Sequence, residues 1–168
     1  MRRFANLTFL LCLISIVSIS PVHAADQAAK AAMAKSLLDK AVALIQDKGP
    51  IAAFYQFNTD RDQFVNGEFY VWVISMDGVI FAHSSNPNMV GLAIKEAQDL
   101  SPAPESKQSA KDLVEYAAEH DEGDLDYVWF NPVDHQYETK HSFFKRISPS
   151  DYFVDFIVLT GYFEPGKQ

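Results

Sequence analysis

Phe69-Tyr70-Val71-Trp72-Val73-Ile74, then Met76-Asp77-Gly78, then Val79-Ile80-Phe81-Ala82-His83: these three consecutive stretches decide the fold class. The first and third are aromatic and β-branched, which suits a pleated and half-buried surface. The second is a tight turn ending in Gly, so together they predict an antiparallel hairpin. Upstream, Asp26 to Lys48 carries apolar residues at Ala34, Leu37, Leu38, Ala41, Leu44 and Ile45, one face of a 3.6-residue period and hence a long amphipathic helix. Gly49-Pro50 stops it and opens a short second helix through Ala52, Ala53 and Phe54, after which Asn58 to Asn66 reads as a polar linker. Downstream, Asn86-Pro87-Asn88 and Gly91 mark a loop. Ser101-Pro102-Ala103-Pro104 breaks the chain before a helix from Glu105 or Ser109 to His120, which Asp121-Glu122-Gly123-Asp124 caps and ends. Three further strands are expected at Leu125 to Phe130, Glu138 to Ile147 and Tyr152 to Tyr162, separated by turns at Pro132 and Pro149. The sum is an α+β domain with one antiparallel sheet.

A leader precedes this domain. Arg2 and Arg3 form a basic start, Phe4 to Ile19 is an apolar run, and Val22-His23-Ala24 places small residues where a signal peptidase needs them. The run is short for a hydrocarbon core of roughly 30 Å, and Pro21 with the small-residue site favours cleavage over anchoring. Residues 1–24 are therefore expected to be a cleaved secretory signal, with residues 25–168 as one domain. Of the 14 basic residues in the 168-residue chain, cleavage removes two, and of the 22 acidic ones none, so the net charge goes from −8 to −10. It also removes Cys12, the only cysteine, leaving no disulfide, thiolate metal site or cysteine nucleophile. No second apolar run of spanning length follows, and the expected location is the periplasm. An acidic balance without a Lys/Arg cluster argues against nucleic acid and anionic membrane surfaces as partners.

No nucleophile elbow, phosphate loop, dinucleotide fingerprint or His-Glu-x-x-His stands in the chain. The histidines lack metal-ligand spacing, Asp121 to Asp126 does not match a calcium loop, and no cofactor is expected. A hydrolase or isomerase using His83 or His141 would need a nucleophile or acid/base pair that cannot be named. Aromatic residues carry more signal. Tyr70 and Trp72 share one face of a strand, as do Tyr127 and Trp129, by two-residue alternation. Each is either core packing or a pocket wall with a polar handle. Phe69, Val71, Phe130 and Phe144 are assigned to core. Lys140, inside a strand, either snorkels to solvent or faces inward beside the aromatics as a counter-charge for a small carboxylate. His83, ending the hairpin, is either a surface histidine or a further hydrogen-bonding group of the same pocket.

With those residues assembled, the chain resembles a single Cache domain, the extracellular sensing module of bacterial chemoreceptors and sensor kinases. The resemblance runs over roughly residues 30 to 165 and rests on Lys40-Ala41-Val42-Ala43-Leu44-Ile45, Tyr70-Val71-Trp72-Val73-Ile74 with Asp77-Gly78, and Ala82-His83 with Asn86-Pro87 and Val90-Gly91. It is strongest at Asp126-Tyr127-Val128-Trp129-Phe130-Asn131-Pro132, with Lys140 and Thr160-Gly161-Tyr162 after it. It implies a PAS-like antiparallel sheet of about five strands with a long N-terminal helix and connecting helices, and the last strand paired with the first. It also implies a pocket between the sheet and the segment from Asn86 to His120, binding small metabolites without turnover. Two departures, Asp99-Leu100-Ser101-Pro102 and Asp124-Leu125, fall near the expected rim. The site expected from residues and resemblance together is Tyr70, Trp72, His83, Tyr127, Trp129 and Lys140. A membrane sensor kinase, chemoreceptor or transporter is the implied partner, with chemotaxis or related signal transduction as the context. The competing reading is a structural or adaptor protein whose pocket is vestigial.

Overall fold

The computed structural model describes residues 21–94 and 113–164. Helix α1 spans Pro21–Lys48, α2 spans Pro50–Thr59 and α3 spans Arg61–Phe64. Strands follow at β1 (Val65–Asn66), β2 (Phe69–Tyr70), β3 (Trp72–Ser75) and β4 (Ile80–His83), then β5 (Glu122–Phe130), β6 (Tyr137–Ile147) and β7 (Phe156–Glu164). Residues 113–119 are helical. One five-stranded antiparallel sheet runs in the order β4-β3-β7-β6-β5, and β1 with β2 forms a separate hairpin. The last strand lies beside the first of the large sheet, with Trp72 opposite Leu159, Val73 opposite Val158 and Ile74 opposite Ile157. This is the PAS-like order.

The sheet separates two apolar cores. On one face α1 buries Ala34, Leu38, Ala41 and Ile45 of the stripe its period predicts, with Leu37 and Leu44 partly buried and Val42 added, against Val71, Val73, Val158 and Phe143, and α2 adds Ala53, Phe54 and Phe57. A buried bond from Thr160 Oγ1 to the carbonyl of Ala34 (2.7 Å) fixes the helix on β7. Gly49 ends α1: at φ 79° it takes a left-handed conformation that disfavours other residues, and Pro50 follows as the first residue of α2. On the other face lie Tyr70, Trp72, Ile74, Ile80, Tyr127, Trp129, Phe144, Leu159 and Phe163, covered in part by Leu113 and Ala117 of the helix 113–119.

Several expected boundaries move, each for a physical reason. α1 begins at Pro21, before the expected Asp26, because the intervening alanines are good helix formers. The expected linker from Asn58 to Asn66 is instead the end of α2, all of α3 and β1, since Phe57 and Phe64 bury their rings edge to face at 4.8 Å. Phe69 to Ile74 is divided between β2 and β3, because β2 pairs with β1 rather than with the large sheet, though the alternation of faces continues through Val71. Asp121 to Asp124 does not simply end the helix: Glu122-Gly123-Asp124 already pairs with Lys145-Phe144-Phe143. The last strand starts at Phe156, leaving Tyr152, Phe153 and Val154 exposed in the preceding loop. Phe130, assigned to core, is 39% exposed at the end of the edge strand, where the rings of His135 and Tyr137 pack against it. The expected helix start at Glu105 or Ser109 and the departure at Asp99 to Pro102 lie outside the described residues.

Candidate functional site

All six expected site residues meet on the sheet face opposite α1. Tyr70 and Trp72 come from β2 and β3, Tyr127 and Trp129 from β5, Lys140 from β6, directly across from Tyr127, and His83 from the end of β4. His83 reaches this face through a bulge. Val73 pairs with Ala82 but Ile74 pairs with Ile80, so Phe81 is the extra residue, and both it and Ala82 sit toward the helix side. Strict alternation from Ile80 would have sent His83 to the α1 side; the bulge turns it back. The rings then pack closely, with Tyr70 stacked on His83 at 4.8 Å and Trp72 on Trp129 at 5.3 Å.

Burial excludes the solvent-facing alternative for Lys140 and for His83. Lys140 is fully buried and His83 is 2% exposed, so neither is a surface residue. Lys140 Nζ stands 3.4 Å from the centre of the Tyr70 ring and 5.0 Å from that of Phe163, a cation on aromatic faces. Burial pushes its ammonium well below the ordinary lysine range, and the Glu68 carboxylate works against that shift. Burial first, and the Lys140 charge second, hold the His83 imidazole down to about 3. His83 is thus neutral, and its tautomer follows from its neighbours. The backbone N–H of Asn86 donates to Nδ1 at 3.1 Å, so Nδ1 is the acceptor and the ring proton sits on Nε2.

Three buried polar atoms in this cluster lack a hydrogen-bond partner among the described residues: Trp72 Nε1, His83 Nε2 and Lys140 Nζ. Every one is a donor. A buried donor left unsatisfied costs about 1–3 kcal/mol, so these three, on one face, are open to an acceptor. Among the described residues that form this core, none presents a carboxylate that would accept from them or hold an amine.

Ser142 and Phe163 were not anticipated. The Ser142 hydroxyl and Tyr127 hydroxyl are 2.8 Å apart and buried, which fixes the Tyr127 ring, while burial pushes its phenol up. Two-residue spacing from Lys140 was the signal for Ser142. His141 lies on the other face, its Nδ1 2.5 Å from Asp126, and takes no part in the cluster.

Residues 32–163 match the Cache domain, and the chain belongs to that family. A search of curated proteins gives no match. Among solved structures, the chain is similar to a methyl-accepting chemotaxis protein from Vibrio parahaemolyticus RIMD 2210633 (16% identity, TM-score 0.61, 84% of this chain and 92% of that one). It is similar also to the periplasmic sensor domain of a chemotaxis protein (22% identity, TM-score 0.59, 86% and 99%). A third is a Cache chemosensory domain solved for the structural basis of its carboxylic acid recognition (17% identity, TM-score 0.57, 84% and 95%). At these identities the likeness is one of fold.

Proposed function

We propose that this chain is a periplasmic sensing module that binds a small carboxylate, without turning it over, in the aromatic-walled site of Tyr70, Trp72, His83, Tyr127, Trp129 and Lys140. The observation that carries this reading is the set of three buried donors, one of them a lysine, that lack a hydrogen-bond partner among the described residues. A carboxylate supplies both the lone pairs and the charge, and a bond from a buried lysine to a carboxylate is among the stronger ones available. Carboxylic acid recognition by a Cache domain of the same fold agrees with it. Occupancy would then be passed to a membrane sensor kinase, chemoreceptor or transporter by a shift in population between free and bound conformations.

The test is a thermal-shift panel of short mono- and dicarboxylates against amines and neutral amides, run on the parent and on Lys140→Met. A ligand at 100 times its Kd adds about 2.7 kcal/mol, which for a domain of this size raises Tm by about 5–10 °C. The parent is expected to shift with a carboxylate and not with an amine, and Lys140→Met to lose the shift while melting no lower without ligand. A shift that survives in Lys140→Met removes Lys140 from the site.

A second reading, an adaptor that docks a membrane partner, is favoured by the loop between β6 and β7, where Phe153 is fully exposed between Tyr152 and Val154. Saturable binding of a small ligand separates the two.

A further inference from the structure

We infer that Glu68, a residue outside the pocket, is the counter-charge that keeps Lys140 protonated while the pocket is empty. The inference rests on the anion-binding reading of that pocket and adds to it the device that maintains its charge.

The placement of Glu68 begins with the turn. Gly67, at φ 59°, occupies the first central position of the two-residue connection between Asn66 and Phe69, a place that needs the left-handed freedom of glycine, and Glu68 is the second. Pairing between β3 and β7 ends with Trp72 and Leu159. Beyond it no strand among the described residues pairs with β7 on that side, and the Glu68 carboxylate caps it: Oε2 accepts the backbone N–H of Phe163 at 2.7 Å. Its other oxygen is 2.8 Å from Lys30 Nζ on α1. Two fixed partners hold the carboxylate in one position.

That position bears on Lys140. Lys140 and Phe163 are directly opposed on β6 and β7. Since the Phe163 N–H points to Glu68 and not across to β6, theirs is the narrow kind of antiparallel pair, in which side chains lie closest. Lys140 Nζ rests on the ring of Phe163 and on that of Tyr70, two residues after Glu68. The charged and titratable groups around it can be followed element by element. β2 and its turn bring Tyr70 and Glu68, β4 brings His83, and β5 brings Tyr127. β7 brings Phe163, while its Glu164 accepts from Gln27 of α1. The helix 113–119 turns Leu113 and Ala117 inward and leaves Glu115 and Glu119 exposed. His83 is neutral and both phenols are held protonated by burial. Among the described residues, the Glu68 carboxylate, held at the Phe163 N–H directly across from Lys140, is the anion that works against desolvation of the ammonium, and without it desolvation would favour loss of the proton and of the site's attraction for a carboxylate.

The experiment follows the 13Cε resonance of Lys140 against pH in lysine-labelled protein, assigned with Lys140→Met and recorded without ligand. In Glu68→Gln the amide oxygen still accepts from Phe163, so the fold is kept while the charge is lost. The midpoint of Lys140 is expected to fall below the parent's. Lys30→Met removes the competing cation and leaves Glu68 charged, so there the midpoint is expected to stay or rise. A Lys140 midpoint in Glu68→Gln equal to the parent's, or a fall of the same size in Lys30→Met, overturns the inference. Because no ligand is present, a parent that binds nothing in the carboxylate panel defeats the anion reading alone and leaves the comparison of midpoints decisive for Glu68.

Discussion

His83 shows how one side chain ties the site to stability. Its ordinary pKa of 6.5 falls to about 3 in the folded chain. Between those values the unfolded chain binds a proton that the native one refuses. Stability due to the neutral ring is therefore complete above pH 6.5 and drains away as pH falls toward 3, at up to about 1.4 kcal/mol per pH unit. In His83→Gln, whose side-chain oxygen still accepts from Asn86, this contribution is absent. Denaturant melts of parent and variant from pH 7 to 4 are expected to give a difference that shrinks steadily with acid, and a constant difference would show that the imidazole is solvated or already charged. Lys140 has the same sense at the other end of the scale. Its pKa is depressed, so its burial costs most at neutral pH, which is why Lys140→Met is expected to melt no lower than the parent.

At the scale of strands, Gly161 is the tightest point of the sheet. A Cβ there would lie 2.3 Å from the carbonyl of His141 and 2.6 Å from Ser142 Oγ, and a backbone carbonyl cannot yield without breaking the β6–β7 register. Gly161→Ala is expected to cost about 3 kcal/mol in a denaturant melt and to disturb the Tyr127–Ser142 bond. Gly91→Ala, in open space but at φ 90°, should cost only the backbone strain, about 1–2 kcal/mol. Equal losses in the two variants would remove the packing explanation. Strands with two-residue alternation were legible in the sequence: Tyr70 with Trp72, and Tyr127 with Trp129, meet on one face as their spacing requires. What alternation hides is any residue that breaks it. The bulge at Phe81 sends His83 to the face of Tyr70 and Trp72, where strict alternation from Ile80 would not have put it. Val65–Asn66 is too short to show a period at all, so the first strand of the hairpin that positions Glu68 reads in the sequence as the end of the Asn58 to Asn66 linker. Phe130 was assigned to core on hydrophobicity alone, yet it stands at the end of the edge strand with little packed over it.

For the molecule as a whole, the leader reading predicts that the exported form starts at or next to Ala25, measured as the intact mass of the periplasmic fraction; a full-length mass in the inner membrane would overturn it. Among the described residues no helix is long and apolar enough to cross a membrane. The sheet also has a consequence for how such a protein changes over generations. On the α1 side helix and strands bury an aliphatic and aromatic core, and the groups proposed for recognition are gathered on the other side. A substitution that re-sizes the pocket alters side chains which α1 does not touch. On the proposed function, drift in ligand preference would be uncoupled from the ability to fold, and one scaffold could be retuned to successive metabolites while its helix-bearing half stays unchanged.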